Sequence, residues 1–263
     1  MNHFIKTYRA VLSISLTRYL TYRIDAITNT FLSAGVWSVF NIISMYLVSS
    51  RSTTIFGWTP GELILISCLY NIFIGIFAFF FMRGISEFPD IVDRGLLDSL
   101  LLKPLDSQFY VSAHSAQYQS LIRVLIGIVL GTVVCNVYGI PISPINSVLF
   151  LLSLVPALIL LYACLFMINT LIIWSPRTDN ITHLFYTLRS LGRYPRETFS
   201  NAHELVFVFV APFVIVLSTP ARILLGKATL YDALELCIAA AIFFVASRMF
   251  WKFALRHYTS ASG

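Results

Sequence analysis

The chain has 263 residues, 58% of them hydrophobic and only 11% charged, with a formal net charge of +6. A soluble domain carries roughly 25% charged residues to cover its surface, so most of this surface faces something other than water; apolar runs of about 20 residues are what a bilayer core requires. The composition excludes an ordinary soluble domain, and the basic residues are too few and too scattered to form a nucleic-acid-binding patch.

Residues 3–24, HFIKTYRAVLSISLTRYLTYRI, place Phe4, Tyr8, Val11, Leu12, Leu16, Tyr19 and Leu20 at three- and four-residue steps, with Lys6, Arg9, Ser13 and Thr17 mostly between them. This spacing predicts an amphipathic helix over 1–25, lying in the headgroup layer, packed against the rest of the protein, or both. Its charges leave no uninterrupted apolar core for a cleavable signal peptide. Six apolar runs follow, at about 26–48, 62–82, 117–137, 147–174, 205–225 and 230–251. Pro156 is expected to kink the fourth, and Pro212 and Pro220 to interrupt the fifth. The expected fold is all-α: a polytopic membrane protein with six transmembrane helices over 26–263, preceded by the amphipathic interfacial helix.

Basic residues orient the runs. With the N-terminus in the cytoplasm, segments 1–25, 83–116, 175–204 and 248–263 hold fourteen lysines and arginines, and the outer connections hold only Arg51, Arg222 and Lys227. This bias puts both termini in the cytoplasm. The inner segments 83–116 and 175–204 are the long connections, and the outer ones are short.

The search for chemistry excludes more than it finds. Gly226-Lys227-Ala228 lacks the hydroxyl residue and the earlier glycine of a phosphate-binding loop. Cys68, Cys135, Cys164 and Cys237 fall in four different runs, with no CxxC or Cys/His ligand spacing. The five histidines show no ligand pairing, which leaves them structural or surface roles. No acidic residue falls near the middle of a run, where a proton-coupled carrier would want one. Arg123 stands near one end of the third run, as a snorkelling or coupling-face arginine or as part of a substrate pathway. Asp232 and Glu235 stand one turn apart at the outer end of the sixth, Glu62 opens the second, and Arg222 and Lys227 are near enough to pair with them. Phe73, Phe77, Phe79, Phe80 and Phe81 crowd the second run, as a greasy path or as packing.

The segment after the second run reads DRGLLDSLLLKPLD, from Asp93 to Asp106. Pro89 suits the first turn of a helix, with Asp90 and Asp93 near its N-terminus. Gly95 interrupts it, Leu96, Leu97, Leu100 and Leu101 form an apolar stripe, and Pro104 forbids continuation. A two- or three-turn helix with one apolar stripe suits helix-in-groove docking, or simply seals the end of the bundle. Segment 175–204 offers Arg189, Arg193 and Arg196 on one side and Leu184, Phe185, Leu188 and Leu191 at helical spacing, as a second contact or a headgroup-layer helix.

In this order and position, Arg94-Gly95-Leu96-Leu97-Asp98-Ser99-Leu100-Leu101-Leu102-Lys103-Pro104, Arg193-Tyr194-Pro195, Pro212, Pro220-Ala221 and the terminal Arg256-His257-Tyr258 resemble the ABC-2 permeases, and among them a bacterial subgroup of about 260 residues encoded without a fused ATPase. The resemblance spans essentially the whole chain. It implies an ABC-2 (type V exporter-like) fold in the bacterial cytoplasmic (inner) membrane. It implies no catalytic, cofactor or metal site in this chain, ATP and magnesium being bound by a separate ABC ATP-binding subunit. It further implies a second permease chain, identical or paralogous, and a coupling helix at Gly95, Leu96, Leu97, Asp98, Leu100, Leu101, Lys103 and Pro104 that docks on the ATPase. Some members of the subgroup export drugs or lipophilic cations such as viologens, so a hydrophobic, amphipathic or lipid-like substrate is the expected class. An ion-gradient carrier or a non-catalytic membrane assembly protein is the alternative.

Overall fold

The computed structural model describes residues 2–21, 28, 35–50, 54, 57–103, 106–174, 187–188, 190–199 and 204–258. Its helices in chain order are α1 (Asn2–Thr21), α2 (Trp37–Ser49), α3 (Pro60–Asp93), α4 (Leu97–Leu101), α5 (Ser107–Ala113), α6 (Leu121–Tyr138), α7 (Pro144–Thr170), α8 (Glu204–Leu224) and α9 (Leu230–His257). Among the described residues, four helices are long and apolar enough to cross a membrane: α3, α6 with its preceding turn, α7 with its following turn, and α9. Helix α2 and the Ala211–Leu224 part of α8 are shorter apolar helices.

Thr59 opens the helix around which the others gather. Its hydroxyl accepts from the Glu62 amide, and the Glu62 carboxylate accepts from the Thr59 N–H at 2.8 Å, ahead of Pro60 in the first turn. Two donors at the helix start are thereby satisfied, each by the other residue's side chain. With no charge between Glu62 and Arg83, α3 is buried on every side through residues 61–71, as expected of a helix that is apolar all round.

Helix α6 runs antiparallel to α3 at a close approach set by glycine. A Cβ on Gly75 would meet Val124 at 2.6 Å, one on Gly127 would meet the Cys68 carbonyl oxygen at 2.7 Å, and one on Gly61 would meet Tyr138 at 2.6 Å. Small residues let two membrane helices bring their backbones together where lipid supplies no hydrophobic drive. Helix α7 packs against both α8 and α9, and α2 packs on α3. The core runs through Phe73, Phe77, Leu160, Leu165, Phe166 and Leu217.

Helix α3 outlasts its apolar run by more than two turns. A π turn over Ala78–Met82 leads into Arg83–Asp93, a segment that contains Pro89 in its interior rather than at its start. Proline has no N–H for the carbonyl four residues earlier, and that carbonyl, of Ile85, accepts instead from Asn169 Nδ2 on α7 at 2.6 Å. A side chain from the neighbouring helix thus replaces the missing bond, and the helix continues.

The bundle has two polar ends. At one, called here the link end, α3 finishes, α4 and α5 follow, and Trp174 after α7 lies against Phe250 and Phe253 of α9. At the other, the rim end, Glu62 of α3 pairs with Lys227 after α8, and α9 begins. The 3₁₀ turn Arg196–Phe199 also belongs to the rim end: the Arg196 N–H donates to Ser218 Oγ at 3.3 Å, and Glu197 lies 3.6 Å from Arg222. Of the segment 175–204 expected on the link side, Arg196–Phe199 lies beside the C-terminal part of α8, at the rim end. Trp174 lies at the link end and Arg196 at the rim end, and 175–186 and 189 lie outside the described residues. Helix α1 packs near the link end, where Ser15 Oγ accepts from the Ala116 N–H at 3.1 Å and the Tyr118 hydroxyl donates to the Leu12 carbonyl at 3.0 Å.

Candidate functional site

One glycine turn and a ladder of side-chain bonds shape the link. Helix α3 stops at a glycine with φ +66°: the Gly95 N–H donates to the Val92 carbonyl at 3.0 Å and the Leu96 N–H to the Ile91 carbonyl at 2.9 Å. This pairing takes up the last carbonyls of the helix and needs a left-handed residue at its hinge. Helix α4 then makes little more than one turn, shorter than the two or three turns expected.

Three of the four stripe leucines, Leu97, Leu100 and Leu101, point inward. Leu97 has no exposed surface, and Leu100 and Leu101 lie half-buried against the core. Leu96 is 49% exposed and Leu102 is 86% exposed, beside exposed Asp93, Arg94, Ser99 and Lys103. Of the sequence-derived coupling residues, then, Leu97 seals the bundle, and the outward apolar surface is Leu96 with Leu102, which had been set apart from the stripe. Asp98 is half-buried, Gly95 forms the hinge, and Lys103 donates to the Tyr110 hydroxyl at 2.7 Å with its ammonium over that ring. Pro104 lies outside the described residues.

Helix α5 is held to three other helices. Asp106 caps it by accepting from the Phe109 N–H at 2.9 Å, and both oxygens of the same carboxylate accept from the Arg248 guanidinium of α9. The Arg248 bond, chiefly, holds the Asp106 carboxyl below its ordinary range against the opposing effect of partial burial. The sign follows: this pairing contributes stability at and above the ordinary aspartate value, and it is lost only as pH falls through the depressed one. Gln108, nearly fully buried, accepts from Arg248 at 3.2 Å and donates to Ser247 Oγ at 3.3 Å, while Trp251 Nε1 donates to Ser107 Oγ at 3.0 Å. From α7, the Tyr162 hydroxyl lies 2.9 Å from Ser112 Oγ. From α3, Glu87 reaches His114 Nε2 at 2.9 Å and Arg83 Nε at 2.8 Å. Sequence reading had passed over Gln108, Tyr162 and Trp251 and counted Arg248 only as a positive charge. Asp106 ahead of Ser107 was a legible helix cap; its partner 142 residues away was not.

Above this ladder lies an apolar cavity of about 380 Å³, walled by Phe80, Phe81, Tyr162 and Phe244, with Gln108 and Arg248 at its polar edge. Phe73 and Phe77, read as candidates for a path, are packed in the core with almost no exposed surface. Arg123 sits half-buried in the first turn of α6.

The rim gathers most of the remaining charge. Thr229 and Asp232 form a capping box at the start of α9. The other Asp232 oxygen lies 3.3 Å from Arg196 and 3.5 Å from Arg222, Glu235 is 3.2 Å from Arg196, and Lys227 is 2.6 Å from Glu62. Trp58 Nε1 donates to Glu197 at 3.0 Å. Arg222 and Lys227 thus pair with the rim acids as their positions suggested. Arg196, grouped by sequence with Arg189 and Arg193 as a second contact, lies at the rim, between the carboxylates of Asp232 and Glu235. Arg193, three residues earlier, lies over the Tyr194 ring; Arg189 lies outside the described residues. Asp232 is the hub of this network, so Asp232→Ala is expected to cost about 2 kcal/mol by removing the carboxylate that two arginines share, which leaves Arg196 to Glu235 and Arg222 to Glu197, together with a helix cap. Glu235→Gln, at an exposed carboxylate, is expected to cost under about 1 kcal/mol. Thermal unfolding in detergent reads the difference, and equal shifts would contradict it.

Among the described residues, no group of histidine, cysteine and carboxylate side chains could hold a metal ion. Neither a curated protein nor a solved structure matches the chain. A family model described as ABC-2 family transporter protein matches residues 35–262.

Proposed function

From the premise that the chain belongs to the ABC-2 transporter family, we propose that it is the permease through which a separate ATP-binding subunit drives export of a hydrophobic, amphipathic or lipid-like substrate. Members of this family are the membrane components of ABC transporters, and an ABC ATPase is their general partner. In this reading the link end faces the cytoplasm of a bacterium, the ATPase subunit binds ATP and magnesium, and a second permease chain, identical or paralogous, completes the transporter.

The observation that carries the reading is the two-sided link. A coupling element must be anchored to the spans on one side and offer a docking surface on the other. Leu97 supplies the anchor, and Leu96 and Leu102, flanked by Arg94, Ser99 and Lys103, supply the surface. The docking residues proposed are therefore Leu96 and Leu102, with Asp98 and Lys103 at the edge and Gly95 as the hinge. The aromatic cavity suits the substrate class, because its walls hold greasy matter without fixed charge.

Affinity capture of the chain from native membranes, followed by mass spectrometry, is expected to recover an ATP-binding cassette subunit. Reconstituted with that subunit, the protein should transport only when ATP is supplied. Transport in proteoliposomes containing this chain alone, driven by an ion gradient, would overturn the proposal.

A further inference from the structure

Helix α9 is far from the link in sequence, yet it makes more polar contacts with the start of α5 than any neighbour in the bundle does. Arg248 holds both oxygens of Asp106 and also Gln108 Oε1, Ser247 receives the Gln108 amide, and Trp251 donates to Ser107. Five hydrogen bonds thus converge on three consecutive residues, 106 to 108. The side chains that make them lie at 247, 248 and 251, on one face of α9. Phe88 of α3 and Phe166 of α7 close edge-on against the Trp251 ring, at 5.8 and 5.2 Å between centroids, while the Arg248–Asp106 pair itself keeps 35% and 40% of its side-chain surface exposed.

The other end of the same helix is clasped as well. About 24 Å along its axis from Arg248, at 1.5 Å per residue, Asp232 holds Arg196 and Arg222 at the rim. Between the two clasps α9 carries no charged residue except Glu235, itself part of the rim network. A stiff helix fixed by directional bonds at both ends transmits displacement along its length, where greasy contacts alone would let it slip.

We propose that Asp106 and Arg248 are positioning residues that make α9 a second output of the link, delivering its movement to the rim in addition to the direct route through α3. This rests on the coupling role proposed above and extends it, since it names the helix that carries the movement and the pair that engages it. The bidentate geometry is the requirement: two parallel bonds fix the orientation of the guanidinium as well as its distance. A lysine at 248 keeps the charge but not the orientation.

The test starts from the complex of the chain with its ATPase subunit and measures substrate moved per ATP hydrolysed. Arg248→Ala and Asp106→Asn, the latter keeping the helix cap, should each lower that ratio roughly tenfold while hydrolysis continues, and the double variant should be no worse than either single one. Arg248→Lys should recover only part of the loss. A ratio within twofold of the unaltered complex in both single variants, or losses that add in the double variant, would overturn the proposal. In the permease alone, Arg248→Ala should speed amide exchange over 107–113 about tenfold without affecting 121–138, and unchanged exchange over 107–113 would equally overturn it. Should Arg248→Ala fail to accumulate, Asp106→Asn and Arg248→Lys carry both measurements. Failure of the unaltered chain to recover any ATPase subunit counts against the coupling role, whereas unchanged coupling in an intact complex counts against the clasp alone.

Discussion

Leu97→Asp is expected to prevent accumulation of folded protein, whereas Leu102→Asp should leave the fold intact and abolish coupling to the ATPase. The two residues are five apart and chemically identical; burial separates them. Leu97 has no exposed surface and lies in the core between the link and the spans. Exchanging it for a carboxylate removes about 2 kcal/mol of apolar burial and adds the cost of an unpaired buried charge, a total above about 4 kcal/mol. Leu102, at 86% exposed, has almost no burial to lose. Its effect falls on docking, where one central apolar anchor can carry about 2 kcal/mol or more, so ATP hydrolysis stimulated by the permease should fall at least about tenfold. Membrane yield, gel-filtration profile and ATPase rate, taken together on both variants, check this. A normal ATPase rate in Leu102→Asp, with a folded but uncoupled Leu97→Asp, would return docking to the inward stripe.

Gly84→Val is the second large effect expected. A Cβ at residue 84 would lie 2.2 Å from the Ser112 carbonyl oxygen and 2.5 Å from that of Val111. These are backbone atoms of α5, which Arg248, Trp251, Tyr162 and Glu87 hold in place from three helices, so the obstacle cannot rotate aside. The variant must push α5 off α3, at a cost of about 3 kcal/mol or more. Gly131→Ala on α6 is the contrast: its Cβ would meet Cys68 Cβ at 3.5 Å, an ordinary contact, and alanine favours the helix by about 1 kcal/mol. Melting temperatures in detergent should therefore move in opposite directions.

Much of this architecture is legible in hydropathy and punctuation. The runs at 117–137 and 230–251 fall close to α6 and α9, because lipid-facing and buried helices are apolar for the same length reason. The extension of α3 to Asp93 is not legible there: Arg83 and Glu87 pair at i, i+4 and keep the helix going after apolarity ends. The leucine stripe shows the limit of periodicity. Spacing places Leu97, Leu100 and Leu101 on one face, yet that face is equally suited to a partner or to the chain's own core, and only three-dimensional burial chooses. Charge counting has the same blindness to neighbours. It assigned Arg196 by sign, although Asp232, Glu235 and Glu197 collect at the rim to meet it and Arg222.

The π turn over Ala78–Met82 sets the aim of everything below it. A turn closed by i→i+5 bonds encloses one residue more than an α turn, and each residue of an α-helix advances the helix by about 100°. Removing one phenylalanine from Phe79, Phe80 and Phe81 would leave composition and hydropathy almost unchanged. It would close the wide turn to an α turn and leave Arg83–Asp93 in phase, whereas removing one residue from the regular helix above it would rotate Arg83–Asp93 by roughly that angle, swinging Gly84 away from Ser112, Ile85 away from Asn169 and Leu97 out of its seat. The direction in which the link presents itself is in that sense an angular phase, held by the number of residues above it as much as by their kind.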